Sequence, residues 1–161
     1  MPESSFTHPL FGPIRFRTAS AEWKRGDKIT FLSGFDLSDV TAVSIPQLKN
    51  VPGSTGGRLK FHKRGHKQLL HAFEQIEAQG LLHHVKTCAG TLNARLRKPT
   101  SGALSKLPSN HAFGIAIDLN EEDPGFGESV TPVAPIFQAL GFTWGKAFND
   151  PMHFEVHAFL S

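Results

Sequence analysis

A chain of 161 residues, 39% hydrophobic and 19% charged, suits a single globular domain and is too apolar to remain disordered. Seventeen Lys and Arg against fourteen Asp and Glu leave a formal charge of +3, which favours anionic partners such as cell-wall polymers or nucleic acid, but the basic residues are scattered among acidic ones as on an ordinary solvated surface. The lone Cys88 excludes an intramolecular disulfide and argues against a closed, cysteine-rich structural zinc site.

The start of the chain, Met1 to Pro9, lacks a basic segment followed by an apolar one, and no run of about 18 apolar residues occurs, so neither a signal peptide nor a membrane span is expected. Residues 1–58 read as a lead-in of short strands and loops packed on the core, with Lys28–Leu32 and Val40–Ile45 as strand candidates. The loop Val51–Gly57 marks the internal boundary, and residues 59–161 form the core unit. Between His62 and Gln79, Leu69, Leu70, Phe73 and Ile76 recur at helical spacing, and Gly80 stands where a left-handed cap belongs. Leu81–Cys88 reads as a strand with His83 and His84 on opposite faces, Gly90–Pro108 as a polar loop and Gly114–Leu119 as a strand. A Gly/Pro/acidic loop over 120–129, a short helix over Val133–Leu140, and strands at Phe142–Trp144 and Met152–Phe159 complete the order. Aromatic packing falls to fourteen Phe, with no Tyr and two Trp.

The chemistry concentrates in two segments, Ser109-Asn110-His111-Ala112-Phe113-Gly114-Ile115-Ala116-Ile117-Asp118 and Asp150-Pro151-Met152-His153-Phe154-Glu155. Two imidazoles and a carboxylate can hold a divalent metal and leave a position open for water, the pattern of hydrolytic zinc. On a strand, alternate residues share a face, so Asp118 lies with the small Gly114 and Ala116 while Ile115, Ile117 and Leu119 enter the core. His153 and His157 are four strand positions apart, about 13 Å, and cannot share one coordination sphere. His153 is the better ligand because Asp150 precedes it on a proline-containing turn and can place a carboxylate beside the attacking water. Glu155 is the alternative base, or a carboxylate that orients a ligand imidazole. His62 and His66 form another i, i+4 pair without an accompanying carboxylate. The remaining His8, His71, His83 and His84 read as surface or hydrogen-bonded structural residues.

The spaced set Ser109-x-His111-x-x-Gly114-x-Ala116-x-Asp118, Trp144-Gly145 and Asp150-x-x-His153-Phe154-Glu155 resembles the D-alanyl-D-alanine carboxypeptidase and L-alanyl-D-glutamate endopeptidase family of zinc peptidases. The likeness runs from about Leu59 to Phe159, and Cys88–Arg95 is similar to the arginine-bearing stretch of the phage-associated branch. It implies a hedgehog-like α+β fold with a small antiparallel sheet and packed helices. It further implies zinc on His111, Asp118 and His153, Asp150 as catalytic acid/base, and Arg95 as the polarising cation, with Arg97 a competitor for that role. Ser109, Arg97 and Trp144 would contact substrate, a peptidoglycan stem peptide cut at its D-Ala-D-Ala or L-Ala-D-Glu bond. Lys146 replaces an expected Gly and Phe148 a common Trp, departures that bear on substrate preference. The implied protein is monomeric, binds peptidoglycan or a muropeptide rather than nucleic acid or membrane, and reaches the wall through a phage lysis system, a virion or a secretion machine. Two other readings use the same residues. One is a non-haem iron oxygenase, although the usual His-x-Asp adjacency is missing. The other is a metal-containing wall-binding module without turnover.

Overall fold

The computed structural model describes residues 1–99, 104–123 and 128–160. It is an α+β protein built from three antiparallel sheets and two helices. Strands β1 (Glu3–His8), β2 (Gly12–Thr18) and β3 (Ile29–Ser33) pair in sequence order, and β4 (Val40–Ser44) pairs with β5 (Arg58–His62) across the 51–57 segment. A four-stranded sheet runs in the order β6 (Cys88–Gly90), β7 (Ala116–Leu119), β9 (His153–Val156), β8 (Phe142–Trp144). Helix α1 (His66–Ala78) and the short α2 (Ala134–Ala139) cover the core.

Helix α1 buries Leu69, Phe73 and Ile76 as its sequence period predicts, joined by Gln68 and Ala72, while Leu70 is only half-buried. Gln68 is buried because its amide is fully used: it donates to the carbonyls of Leu140 and Ala158 and accepts from Leu160 N–H. The helix starts at His66, not His62. His62 ends β5 and its Nδ1 accepts from Arg64 N–H at 3.2 Å, capping a 3-10 turn over Lys63–Gly65. The His62/His66 pair therefore does not share a helix face.

Two further expectations are corrected. Leu81–Cys88 is not a strand: after Gly80, at φ 71°, the chain makes a 3-10 turn over Leu82–His84, and pairing begins only at Cys88. The buried Asn120 side chain takes the place of a neighbouring strand, accepting from Lys86 N and Thr87 N and donating to His84 O. Gly90–Pro108 is not simply a loop either. Ile29 N donates to Ala94 O and Leu96 N to Asp27 O on one side, while Arg97 N donates to Leu107 O and Ser109 N to Arg95 O on the other. This segment thus extends the N-terminal sheet towards residue 109, with bridges Lys28–Arg95 and Leu96–Pro108. Residues 100–103 of that reading, and 124–127 of the proposed acidic loop, lie outside the described residues. No helix among the described residues is long and apolar enough to cross a membrane.

The phenylalanines join the parts. Phe113, fully buried, meets the rings of Phe6, Phe11, Phe31 and Phe35 from the N-terminal segment at centroid distances between 4.9 and 6.2 Å. A second group stacks Phe154 of β9 on Phe137 of α2 at 4.3 Å. Because Phe113 sits two residues after His111, the first cluster seats the turn that carries that imidazole. Truncation by Phe113→Ala should cost about 3–5 kcal/mol in urea unfolding, as for large buried aromatics elsewhere, and Phe113→Leu distinctly less.

Candidate metal centre

His111 is set by its local backbone. Ser109 is extended and its Oγ accepts from His111 N–H at 3.2 Å, which caps the 3-10 turn Asn110–Phe113. Gly114 closes the turn in the left-handed conformation, at φ 67°. A Cβ there would come within 2.6 and 2.8 Å of the Val40 methyls, so β4 can pass this close only because the residue is glycine. Gly114 is thus a turn and a packing contact, not part of the strand face cleared for metal. Strand β7 starts at Ala116.

Asp118 and His153 face each other across β7 and β9, as do Ala116 and Glu155. Hydrogen bonds Leu119 N to Met152 O and Val156 N to Ile115 O flank these positions, which makes both pairs non-hydrogen-bonded rungs, where facing side chains come closest. Small Ala116 leaves the room that Glu155 uses to reach back to His153.

Asp118 Oδ1 lies 3.1 Å from His153 Nδ1, and Oδ2 lies 3.1 Å from His111 Nε2. All three side chains are buried or nearly so, and one ligand atom from each falls within 4.8 Å of the others. His111 Nε2 is buried and has no hydrogen-bond partner, since its close approach to Asp118 is off the bonding direction. A buried nitrogen aimed beside a carboxylate without bonding it is what a metal ligand requires. The opposite edge of each ring is held. His111 Nδ1 is 3.4 Å from Thr91 O, and His153 Nε2 is 2.8 Å from Glu155 Oε1. These contacts leave His111 Nε2 and His153 Nδ1 as the atoms that could coordinate a metal, with the supporting groups that metal-bound imidazoles usually have. The donor set fits zinc with an open position.

The electrostatics follow. Burial opposes ionisation of Asp118, yet the two imidazoles beside it hold its carboxyl well below the usual range. Burial alone would depress His153, but its bonds to Asp118 and Glu155 prevail and raise it to about 9. Burial raises Asp150, against the pull of His153. Glu155 is pulled the other way: burial would raise it, but the bond to His153 leads a group of contacts that lower it.

The predicted residues are distributed as follows. A cavity of about 740 Å³ opens over the three ligands and is lined also by Asp150, Arg95, Arg97 and Ser109. Asp150 Oδ2 is 3.9 Å from His153 Nδ1. Arg95 is felt electrostatically with Asp118 and Asp150, whereas Arg97 acts on Glu155 and His8, so the two arginines serve different ends of the site. Trp144 is not among the residues lining this cavity: its indole N–H donates to Pro151 O at 2.6 Å and its ring stacks parallel to Phe154, bracing the turn that carries Asp150. Phe148 and Lys98 do line the cavity. His157 is exposed and bonded to Thr143. The sequence reading missed Thr91, Asn110 and Lys98. Only Asn110 had a signal, its place between the two motif residues Ser109 and His111.

A metal taken up on His153 Nδ1 would have to displace the proton that the raised pKa of this ring keeps there at neutral pH. Near neutral pH, uptake should therefore release about one proton, and affinity should weaken towards about tenfold per pH unit as the pH falls below the His153 value. Calorimetry in buffers of differing ionisation enthalpy measures the proton directly; uptake without release would show that His153 is not the ligand.

Compared with known proteins, residues 103–156 match a family model described as D-alanyl-D-alanine carboxypeptidase, about a third of the chain. The match spans all three candidate ligands together with Asp150 and supports a peptidase. No curated protein and no solved structure matches the chain.

Proposed function

We propose that the protein is a zinc peptidase that hydrolyses an amide bond in a peptidoglycan stem peptide, the terminal D-Ala-D-Ala bond or the L-Ala-D-Glu bond. The observation that carries this reading is the buried His111-Asp118-His153 group at the base of an open cavity, with one ring nitrogen left unbonded and an acid alongside. The family match supports the substrate class.

Zinc supplies the Lewis acidity that brings a water's pKa towards about 7 and polarises a carbonyl. The protein's own residues do the rest. Asp150, its pKa raised by burial, takes the proton of the attacking water and returns it to the leaving amine. Arg95, half-buried and tied to Leu96 O at 3.0 Å, presents a fixed positive charge to the developing oxyanion. Glu155 is committed to His153 and to Asn110, whose amide reaches it at 2.6 Å, so it orients a ligand and is not free to shuttle protons. Arg97, Lys98 and Phe148 form part of the cavity wall against which the substrate lies. Peptidoglycan or a muropeptide is the partner, acted on by a single chain after delivery to the wall.

Asp150→Ala should keep stoichiometric zinc and lose about 10²- to 10⁴-fold in kcat, whereas His153→Ala should lose the metal. Mass spectrometry of products from a defined muropeptide identifies the bond. Full turnover by Asp150→Ala, with loss in Glu155→Ala, would reassign the base; zinc uptake with no product from any muropeptide would favour a binding module. Arg95→Ala should lower kcat by about 10²- to 10³-fold, and Arg97→Ala by much less. Equal, small effects would retire the polarising role.

A further inference from the structure

The N-terminal strand β1 ends at His8, a residue outside the matched segment and only 4% exposed. Its Nε2 lies 2.9 Å from Asn110 Oδ1, and its Nδ1 accepts from Leu10 N–H at 3.0 Å. The Leu10 bond fixes the tautomer: Nδ1 carries the lone pair, so Nε2–H is the donor to Asn110. Asn110 Nδ2 in turn donates to Glu155 Oε2 at 2.6 Å, and Glu155 Oε1 accepts from His153 Nε2–H at 2.8 Å. Each link has a defined direction and no donor meets a donor. The chain starts at a backbone amide of the β1–β2 turn and ends on the ring that offers Nδ1 to the metal. Phe11 and Phe113 pack on the His8 ring at centroid distances of 4.8 and 4.5 Å, so the ring has no space to turn.

We infer that His8 is a positioning residue for the metal centre, fixing Asn110 and through it the Glu155 carboxylate that aims His153. The inference rests on the zinc reading above for its functional meaning, but the tether itself can be read without metal. Held by Asn110 at one oxygen, Glu155 keeps the other in line with His153 Nε2. Without the His8 bond, the Asn110 amide is held only by the carboxylate it donates to, so the pair can swing together and the other Glu155 oxygen is no longer kept in line with His153 Nε2.

Two substitutions isolate the link. His8→Gln places an amide N–H where Nε2 stood and keeps the reach to Asn110. His8→Asn places its oxygen where Nδ1 stood, keeps the Leu10 bond and falls short of Asn110. Zinc affinity is measured by chelator competition on the full-length protein. The expected result is a loss of about five- to tenfold for His8→Asn, at or below the low end for groups that hold a ligand imidazole, with most of it restored in His8→Gln. Glu155→Gln combined with His8→Asn should be no weaker than Glu155→Gln alone, because His8 acts through that carboxylate. In the metal-free protein, NMR of ring-labelled histidine should show the His153 Nε2 proton exchanging faster in His8→Asn than in wild type or His8→Gln. Folded His8→Asn within twofold of wild-type affinity, strictly additive losses in the double variant, or equal exchange in all three proteins would overturn the assignment. If His8→Asn does not fold, His8→Phe, which keeps the aromatic packing and loses both bonds, is held to the same criteria. Failure of wild-type protein to bind zinc counts against the zinc reading, while the exchange measurement still decides the tether.

Discussion

Everything at the centre depends on the register of β7 against β9. Asp118 opposes His153 on one face only because Ile117 and Phe154 oppose each other on the other, in the buried layer with Phe137 and Phe142. A slip of one residue would turn Ile117 and Phe154 towards the cavity and carry the carboxylate and the imidazole into the core. Each large apolar side chain so displaced would forfeit about 1.5–3 kcal/mol, before the cost of burying an unpaired charge. The apolar face thus enforces the polar one, and the two strands need no side-chain preference of their own to assemble the ligands.

From that rung the polar groups extend outward as a satisfied network. Asp118, His153, Glu155, Asn110 and His8 are each bonded to the next, in surroundings where an unpaired group is costly. His111 Nε2 differs from them: it lies 3.1 Å from Asp118 Oδ2 without a hydrogen bond, and it is there that a metal could enter the network.

Much of this was legible in the sequence, for reasons of range. Strand parity around Asp118 and the rise between His153 and His157 follow from two-residue and four-residue spacing, and the α1 stripe follows from its 3.6-residue period. Those features are local, and they hold for Ala116 and Asp118 and for Leu69, Phe73 and Ile76, though not for Gly114, which belongs to the preceding turn, nor for Leu70, which is half-buried. The contacts that carry the N-terminal segment into the site are not local. His8 and Asn110 are separated by 102 positions, and nothing in the pattern around either names the other. The same holds for the pairing of Asp27–Ile29 with Ala94–Leu96, which ties an apparent polar loop to the N-terminal sheet through an isolated bridge at Arg95. Leu81–Cys88 misled because its apolar composition suits a strand, while the outcome was decided by Asn120, a distant amide that supplies the hydrogen bonds a ladder would have given. Trp144 lies outside the cavity lining, its half-buried indole N–H given to the Pro151 carbonyl, a contact seven residues away that its place beside Gly145 did not announce.

Gly145 lets two segments touch. A Cβ at that position would collide with the Asp150 carbonyl oxygen and come to 3.0 Å from His153 Cβ, so the distance between acid and ligand is set by main chain running against main chain. Gly114 lets the turn that bears His111 come up against the Val40 side chain of β4 and the His62 N–H of β5. The spacing of Asp150 and His153 is consequently written in the backbone, whereas the outer wall of the cavity, with Lys98, Glu121 and Phe148, is made of side chains, of which Phe148 meets the His153 ring edge-on at 5.8 Å. Such a division separates what may drift from what may not. A substitution in the wall would therefore reshape the cavity and leave the Asp150–His153 spacing as it is, whereas any side chain at position 145 would force the two apart.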